Sequence, residues 1–308
     1  MTAEGPRGWV DPHLVHPVRR IAGLESDFRR TIAVMAVVNR TPDSFYDRGA
    51  TFGLDAAVAA ARRAIADGAA WVDIGGARFG PGPAIPVADE IDRVVPVVEA
   101  LRGAGAAISV DTFHAEVAAS AIASGAHVIN DTTGVHDPAL AEVVAASDAT
   151  LVITHSRAEP RRWFPRPQYD DVVGEISAFL EDRVALAVAR GVPEERIVLD
   201  PGHDLNKNTL HSLELTRRFG ELTRLGFPLL AAVSNKDFIG ETLDRPRNGR
   251  LAGSLAAAVF CALQGARILR MHNVRESVDA ARTVEAILGW REPARLVHNV
   301  VDGPNEES

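Results

Sequence analysis

Eight short aliphatic and β-branched runs, each followed by a longer stretch rich in Ala, Arg and Glu, constrain this chain more than any other feature. The runs are IAVMAVVN (32–39), AAWVDIGG (69–76), AAISVD (106–111), AHVIND (126–131), ATLVITH (149–155), RIVLDP (196–201), FPLLAAVSN (227–235) and ARILRMH (266–272). Each is apolar almost throughout, as parallel strands covered on both faces must be. The stretches between them read as helices over 54–67, 87–103, 114–124, 138–147, 170–190, 209–225, 248–264 and 276–288. Gly68, Gly103, Gly125, Gly191, Gly226 and Gly265 follow several of these, where a left-handed residue ends a helix. Strand and helix alternating eight times over 30–291 predicts an α/β fold, a single (β/α)8 TIM barrel. An open doubly wound sheet is the alternative, and it needs fewer strands or a reversal of order that the even spacing does not suggest. Residues 1–29 are expected to form an N-terminal arm outside the main fold, and 292–308 a C-terminal tail.

Composition narrows the function classes. Apolar residues make up 46% and charged residues 24%, as in ordinary globular chains. Lys and Arg number 33 against 41 Asp and Glu, a net charge of −8, so no nucleic-acid partner is expected. No run of 18 apolar residues is present and the first residues lack the apolar core of a signal peptide, so no membrane association and a cytoplasmic location are expected. The one cysteine, Cys261, excludes an internal disulfide and reads as a small buried hydrophobe. Lys is nearly absent: Lys207 and Lys236 stand against 31 Arg.

In a barrel the chemistry sits at the carboxyl ends of the strands. Those ends read Asn39, Asp73, Asp111, Asn130-Asp131, His155, Asp200, Ser234-Asn235-Lys236, and Arg270 with His272. One such residue is as readily a helix cap as a ligand; a whole ring of them points to a site. Asp111, Asn130, Asp200 and Lys236 supply acceptors, an amide and a donor, which suit a flat heterocycle with amino and lactam edges. Arg270, His272 and Asn39 suit an anion beside it. Both lysines fall in this region, where a compact ammonium serves as a point donor to a carbonyl or ring nitrogen. The loops 39–53 and 75–83 carry Gly and Pro and read as lids or as ordinary turns. Neither a dinucleotide nor a Walker-type phosphate motif is present, and nothing in the spacing of His155, Asp111 and Ser234 supports a hydrolytic triad.

The motifs VVNRTPDSFYDRG, VDIGG, SVDT, VIND, LDPG with a following Lys, SNK-x-x-IG and RMHNV, in that order, resemble those of dihydropteroate synthases of folate biosynthesis over roughly 32–288. The resemblance independently implies the barrel, a homodimer, and a transferase that forms a C–N bond with release of diphosphate. It implies a pterin pocket of Asp111, Asn130, Asp200, Lys236 and Arg270, and a diphosphate site of Asn39, Arg270 and His272. Mg²⁺ is the implied cofactor, with Asn39 as its protein ligand. Asn39, Lys236, Arg270 and His272 are the implied catalytic set. A methyltetrahydrofolate-type methyltransferase shares the broad idea of a pterin barrel, but TPDSF and RMH favour the synthase branch.

The departures gather on the acceptor side. After VDIGG the family usually reads Glu-Ser-Thr-Arg-Pro-Gly, where this chain has Ala77-Arg78-Phe79-Gly80-Pro81-Gly82. Arg78 could stand in for the lost Arg if the loop shifts. The usual Ser-Arg-Lys-Ser is here Ser234-Asn235-Lys236-Asp237, and Asp204-Leu205-Asn206 precede Lys207. In the family that last Ser helps hold the carboxylate of p-aminobenzoate. An Asp there repels it by roughly 1 kcal/mol in water and about 4 at an effective dielectric of 20, and the lost hydroxyl adds about 1 more. The pattern resembles the divergent second-copy branch of the family and implies a condensation that is weak or lost. Three readings stand at this point: a pterin-diphosphate-binding homologue with a changed or lost amine acceptor, an active synthase compensated by Arg78, and a non-catalytic pterin-binding or regulatory barrel.

Overall fold

The computed structural model describes residues 8–40, 53–77, 80–82 and 84–298. A short antiparallel hairpin, β1 (Val18–Ile21) and β2 (Leu24–Asp27), precedes the repeating part of the chain. The repeat runs β3 (Ala33–Asn39), α1 (Leu54–Ala66), β4 (Trp71–Gly75), α2 (Val87–Ala100), β5 (Ala107–Asp111), α3 (Ala115–Ala123), β6 (Val128–Asp131) and α4 (Pro138–Ala145). It continues with β7 (Thr150–Thr154), α5 (Val172–Ala189), β8 (Ile197–Asp200), α6 (Thr209–Arg217), β9 (Leu229–Ala231), α7 (Asp237–Leu243), α8 (Leu251–Leu263), β10 (Ala266–Met271) and α9 (Val274–Ile287). Strands β3 to β10 form one closed parallel barrel, sealed where Ile268 of β10 pairs with Ala33 of β3. The open-sheet alternative is thereby removed. All six glycines expected to stop helices have positive φ. Among the described residues no helix is long and apolar enough to cross a membrane.

Two apolar layers hold the barrel. Val34, Ala36, Val72, Ile74, Ile108 and Val110 face outward and meet the helices. The opposite set fills the interior, with Met35, Trp71, Ala107, Val128, Val152 and Val198 in one cluster. Period-two alternation sends neighbours along each strand to these two sides.

The segment before the barrel departs from expectation. Residues 8–29 do not lie outside the fold: Leu14, Ile21 and Phe28 join the interior cluster and close the barrel at the amino ends of its strands. Phe28 is fully buried, its carbonyl accepting from Arg267 Nε at 2.8 Å, and Arg19 donates to the carbonyl of Ile197 at 2.6 Å. The apolar residues that plug the floor are too few and too widely spaced to show periodicity in sequence. Two helices also differ. The stretch 209–225 divides into α6 and a 3-10 segment over Phe219–Leu225, breaking beside Gly220, which packs closely against Gln264 and Val10. Helix α7 lies between the expected strand 227–235 and the expected helix 248–264, because β9 is only three residues long and the chain turns sooner than its apolar run suggests.

Candidate active site

Strand register builds the site in levels. Met35, Trp71 and Ala107 are paired neighbours low in the interior, Asp73 and Ser109 lie two residues further up, and Asn39, Gly75, Asp111 and Asn130 share the rim. The interior thus grows polar toward the mouth. Gly75 is needed there, because a Cβ would come within 2.8 Å of Asn39 Oδ1.

Asp73 is the hub of this level. Fully buried, it accepts from Ser109 Oγ at 2.6 Å, Asn130 Nδ2 at 3.0 Å and Arg270 Nε at 2.7 Å. Arg270 reaches on to Asp111 Oδ2 at 3.2 Å, so one guanidinium bridges two carboxylates. Burial, and next the charge of Asp73, push Asp111 up to about 7, against the pull of Arg270. Burial also raises Asp200, whose Oδ1 accepts the Gly202 amide at 2.7 Å. Asn130 Oδ1 is buried and has no hydrogen-bond partner among the described residues. With its amide nitrogen turned to Asp73, that oxygen is an acceptor awaiting a donor.

Across the mouth, the Ser234 hydroxyl accepts from the His272 amide at 3.1 Å and lies 3.0 Å from His272 Nδ1. A hydroxyl donates one hydrogen bond and accepts two, so Ser234 holds the His272 ring in place in either tautomer. Ser234 thus faces His272, while His155 Nδ1 meets Lys207 Nζ at 2.8 Å, so the paper triad is not assembled.

The two lysines part company. Lys207 spends its ammonium on His155 and on the carbonyls of Gly202 and Leu205, at 2.9 and 3.1 Å, and burial lowers it to about 7. It braces the β8–α6 loop and is no donor to a ligand, which corrects the sequence expectation. Lys236 stays at the carboxyl end of β9; burial pushes its ammonium down, and Asp204 and Asp200 hold it up.

The acceptor-side residues are rearranged from expectation. Asp237 Oδ1 pairs with Arg250 Nη1 at 2.8 Å, so its charge does not stand unopposed as the repulsion argument required. Arg250 lies thirteen residues on, and no local pattern links the two. Asp204 does what sequence reading did not assign. Its Oδ2 accepts the amide of Asp237 at 2.6 Å, and more weakly that of Phe238 at 3.4 Å, while Oδ1 accepts from Ser212 Oγ at 3.0 Å. Gly80 lies at the β4–α2 loop, half-buried, whereas Arg78 and Phe79 and most of the 39–53 loop fall outside the described residues. Asp73 stands in the ring of strand-end residues read from the sequence, but without the role of hub that the register gives it. Its signal was present, a carboxylate inside the otherwise apolar run WVDIG.

A sequence profile described as "Pterin binding enzyme" matches residues 35–272. The chain is 45% identical over 278 residues to a Mycobacterium leprae protein named "Inactive dihydropteroate synthase 2", covering 87% of this chain and 94% of that one. It is 39% identical over 264 residues to the dihydropteroate synthase of Escherichia coli K12, covering 85% and 94%. Among solved structures, the Yersinia pestis dihydropteroate synthase in complex with a sulfonamide drug superposes with a TM-score of 0.84 at 37% identity, covering 89% of this chain and all of that one.

Proposed function

Because this chain belongs to the dihydropteroate synthase family of pterin-binding enzymes, we propose that it binds a pterin diphosphate at the barrel mouth while its condensation with p-aminobenzoate is weak or lost. The observation that carries the first half is the hydrogen-bonded set of Asp73, Arg270, Asp111 and Asn130, with the Asn130 carbonyl oxygen left for a ligand donor. A pterin offers N–H donors to Asp111, Asp200 and the Asn130 carbonyl oxygen, and its carbonyl and ring nitrogen to Lys236. Arg270, His272 and Asn39 then face the diphosphate, where fixed donors stabilise the charge of a departing anion. The second half is supported by the changed surroundings of Lys236 and by the M. leprae relative's name.

Mg²⁺ fits the donor chemistry: Asn39 presents one hard oxygen at the rim, and this ion is commonly held by one or two protein oxygens together with phosphate oxygens and water. When bound it neutralises phosphate charge. A cytoplasmic homodimer completes the reading. Exposed Phe260 on α8 and Ile287 on α9 are apolar groups that a second copy would cover, and equilibrium sedimentation counts the copies.

Titration with 6-hydroxymethyl-7,8-dihydropterin diphosphate and Mg²⁺, followed by a diphosphate-release assay, tests the function. Binding is expected, with little or no release when p-aminobenzoate is added. Release that depends on p-aminobenzoate would mean an active synthase, and no binding would end the pterin reading.

The elevated Asp111 adds a pH signature. The ligand's N–H donors need the ionised carboxylate, so binding below about pH 7 must expel a proton. Affinity is expected to fall as pH drops below 7, by up to about tenfold per unit, and to level off above it. A flat calorimetric profile from pH 6 to 8.5 would remove Asp111 from the binding set.

A further inference from the structure

A cavity of about 370 Å³ opens beside the mouth, between the loops after β4, β5 and β7. Strand β5 stands opposite β9 around the barrel, so the cavity lies across the mouth from Lys236. None of the residues assigned to the pterin lines it. Ala84, Ile85, Phe113 and Pro160 give it apolar walls. His114, Arg161 and Arg162 are its ionisable lining, with no acidic residue beside them among the described ones. Helices α2 and α3 begin next to this cavity, and their N-terminal dipoles favour negative charge there.

The basic groups are held in place. Arg161 and Arg162 ride on the β7–α5 loop, whose neck is closed on Asn206. The Asn206 side-chain oxygen accepts from Ser156 Oγ and from the amides of Arg157 and Ala158, at 2.9, 2.8 and 3.0 Å. Its carbonyl accepts from the Tyr169 hydroxyl at 2.9 Å, at the far end of the same loop. Arg161 then reaches over to the β4–α2 loop, where a Cβ on Gly82 would come within 2.7 Å of its Nη2. His114 is fixed from below: its Nδ1 lies 2.8 Å from Oε2 of Glu90 on α2, a side chain with no exposed surface. The His114 side chain itself is 27% exposed. A buried carboxylate on one ring nitrogen sets the orientation of the imidazole and leaves Nε2 for a ligand.

We propose that this cavity is a second ligand site, which takes a small organic oxyanion on an apolar body, a carboxylate or a phosphate monoester, against His114 Nε2 and the guanidinium groups of Arg161 and Arg162. Such a site lies beyond the pterin reading and does not depend on it. The walls cover the body, and the planar guanidinium matches either oxyanion. Arg162 shares its charge with Glu159 at 3.6 Å, so His114 and Arg161 are the residues to vary.

Calorimetric titration of the full chain with benzoate, with phenyl phosphate and with uncharged benzamide tests the site. At least one anion is expected to bind at least about tenfold tighter than benzamide, and the tighter of the two names the oxyanion. His114→Gln keeps a donor for Glu90. Both it and Arg161→Gln are expected to weaken that anion at least about fivefold and to leave benzamide unchanged. Neither anion binding, benzamide binding as tightly as both, or an anion affinity unmoved by either variant would overturn the proposal. A Glu90–His114 pair that only ties α2 to the turn after β5 would lower the melting temperature of His114→Gln and leave the ligand ratio where it was, which is the same refutation. Repeating the titration with the mouth saturated by pterin diphosphate and Mg²⁺ separates the two sites. Anion affinity is expected to survive, and displacement would place the anion in the mouth instead. Failure of pterin diphosphate to bind sinks the pterin reading alone, since the variants still decide this one.

Discussion

Arg270→Ala is expected to lose at least about a hundredfold in affinity for pterin diphosphate and to lower stability by roughly 3–5 kcal/mol. The second effect follows from what the substitution leaves behind. Asp73 is fully buried and Asp111 partly so, and the guanidinium bonded to both is the cation between them. Two carboxylates at close range without it cannot both stay ionised, so Asp111 must rise further above the usual carboxylate range. The sign is then determined. A carboxyl raised in the folded state binds more protons there than in the unfolded chain, so acid favours the fold over that interval. The variant should therefore sit closer to the parent in stability at pH 6 than at pH 8. Arg270→Lys keeps the charge without the fork and should recover stability more than affinity. Urea unfolding at the two pH values, beside calorimetric titration, reads all three effects; a variant equally destabilised at both would show that the carboxylates are not the cause.

Arg267→Met should cost about 3 kcal/mol at the opposite end of the barrel, with no direct effect on the mouth. Arg267 is completely buried and donates to the carbonyls of Phe28, Ala262 and Ala266 at 2.8, 3.2 and 2.9 Å. Its guanidinium also lies 4.9 Å from the Trp290 ring, which meets Trp9 edge-on at 5.6 Å. One side chain thus fastens residues before the barrel and after it. Burial lowers its pKa only to about 10, so the cation persists at neutral pH. Met fills much of the volume but takes one donor from each of three buried carbonyls, of which that of Ala262 still accepts the Gly265 amide at 3.1 Å. Faster proteolysis near residues 9–28 should accompany the loss, because Phe28 loses the tie that seats it. A melting temperature within a degree or two of the parent would mean that water or neighbouring groups satisfy those carbonyls.

The site was partly legible from residue types alone. Asn39, Asp111, Asn130, Asp200, Lys236, Arg270 and His272 occupy strand ends, and a parallel barrel delivers every strand end to one mouth. The inward place of Asp73 below the rim was harder to see, because a strand buried on both faces has no polar side to reveal which residues point inward. The register supplies that information: Asp73 pairs with Ser109 one level below the rim. The acceptor side was the least legible part. Asp237 carried a charge in sequence that suggested repulsion, and only its pairing with Arg250 shows that charge answered.

The order of strands and helices, the end of the barrel that carries chemistry and the family motifs were determined by the sequence by itself. These depend on local hydrophobic runs, helix stops and short motifs, each contained within a few consecutive residues. Tertiary structure alone decided how the ends pair: Arg270 with Asp73 across 197 positions, Asp204 with the amide of Asp237, Lys207 with His155, and Phe28 beneath the interior. Such contacts arise when the barrel closes and brings distant loops together. Their energy depends on the distance between groups that the linear order leaves far apart.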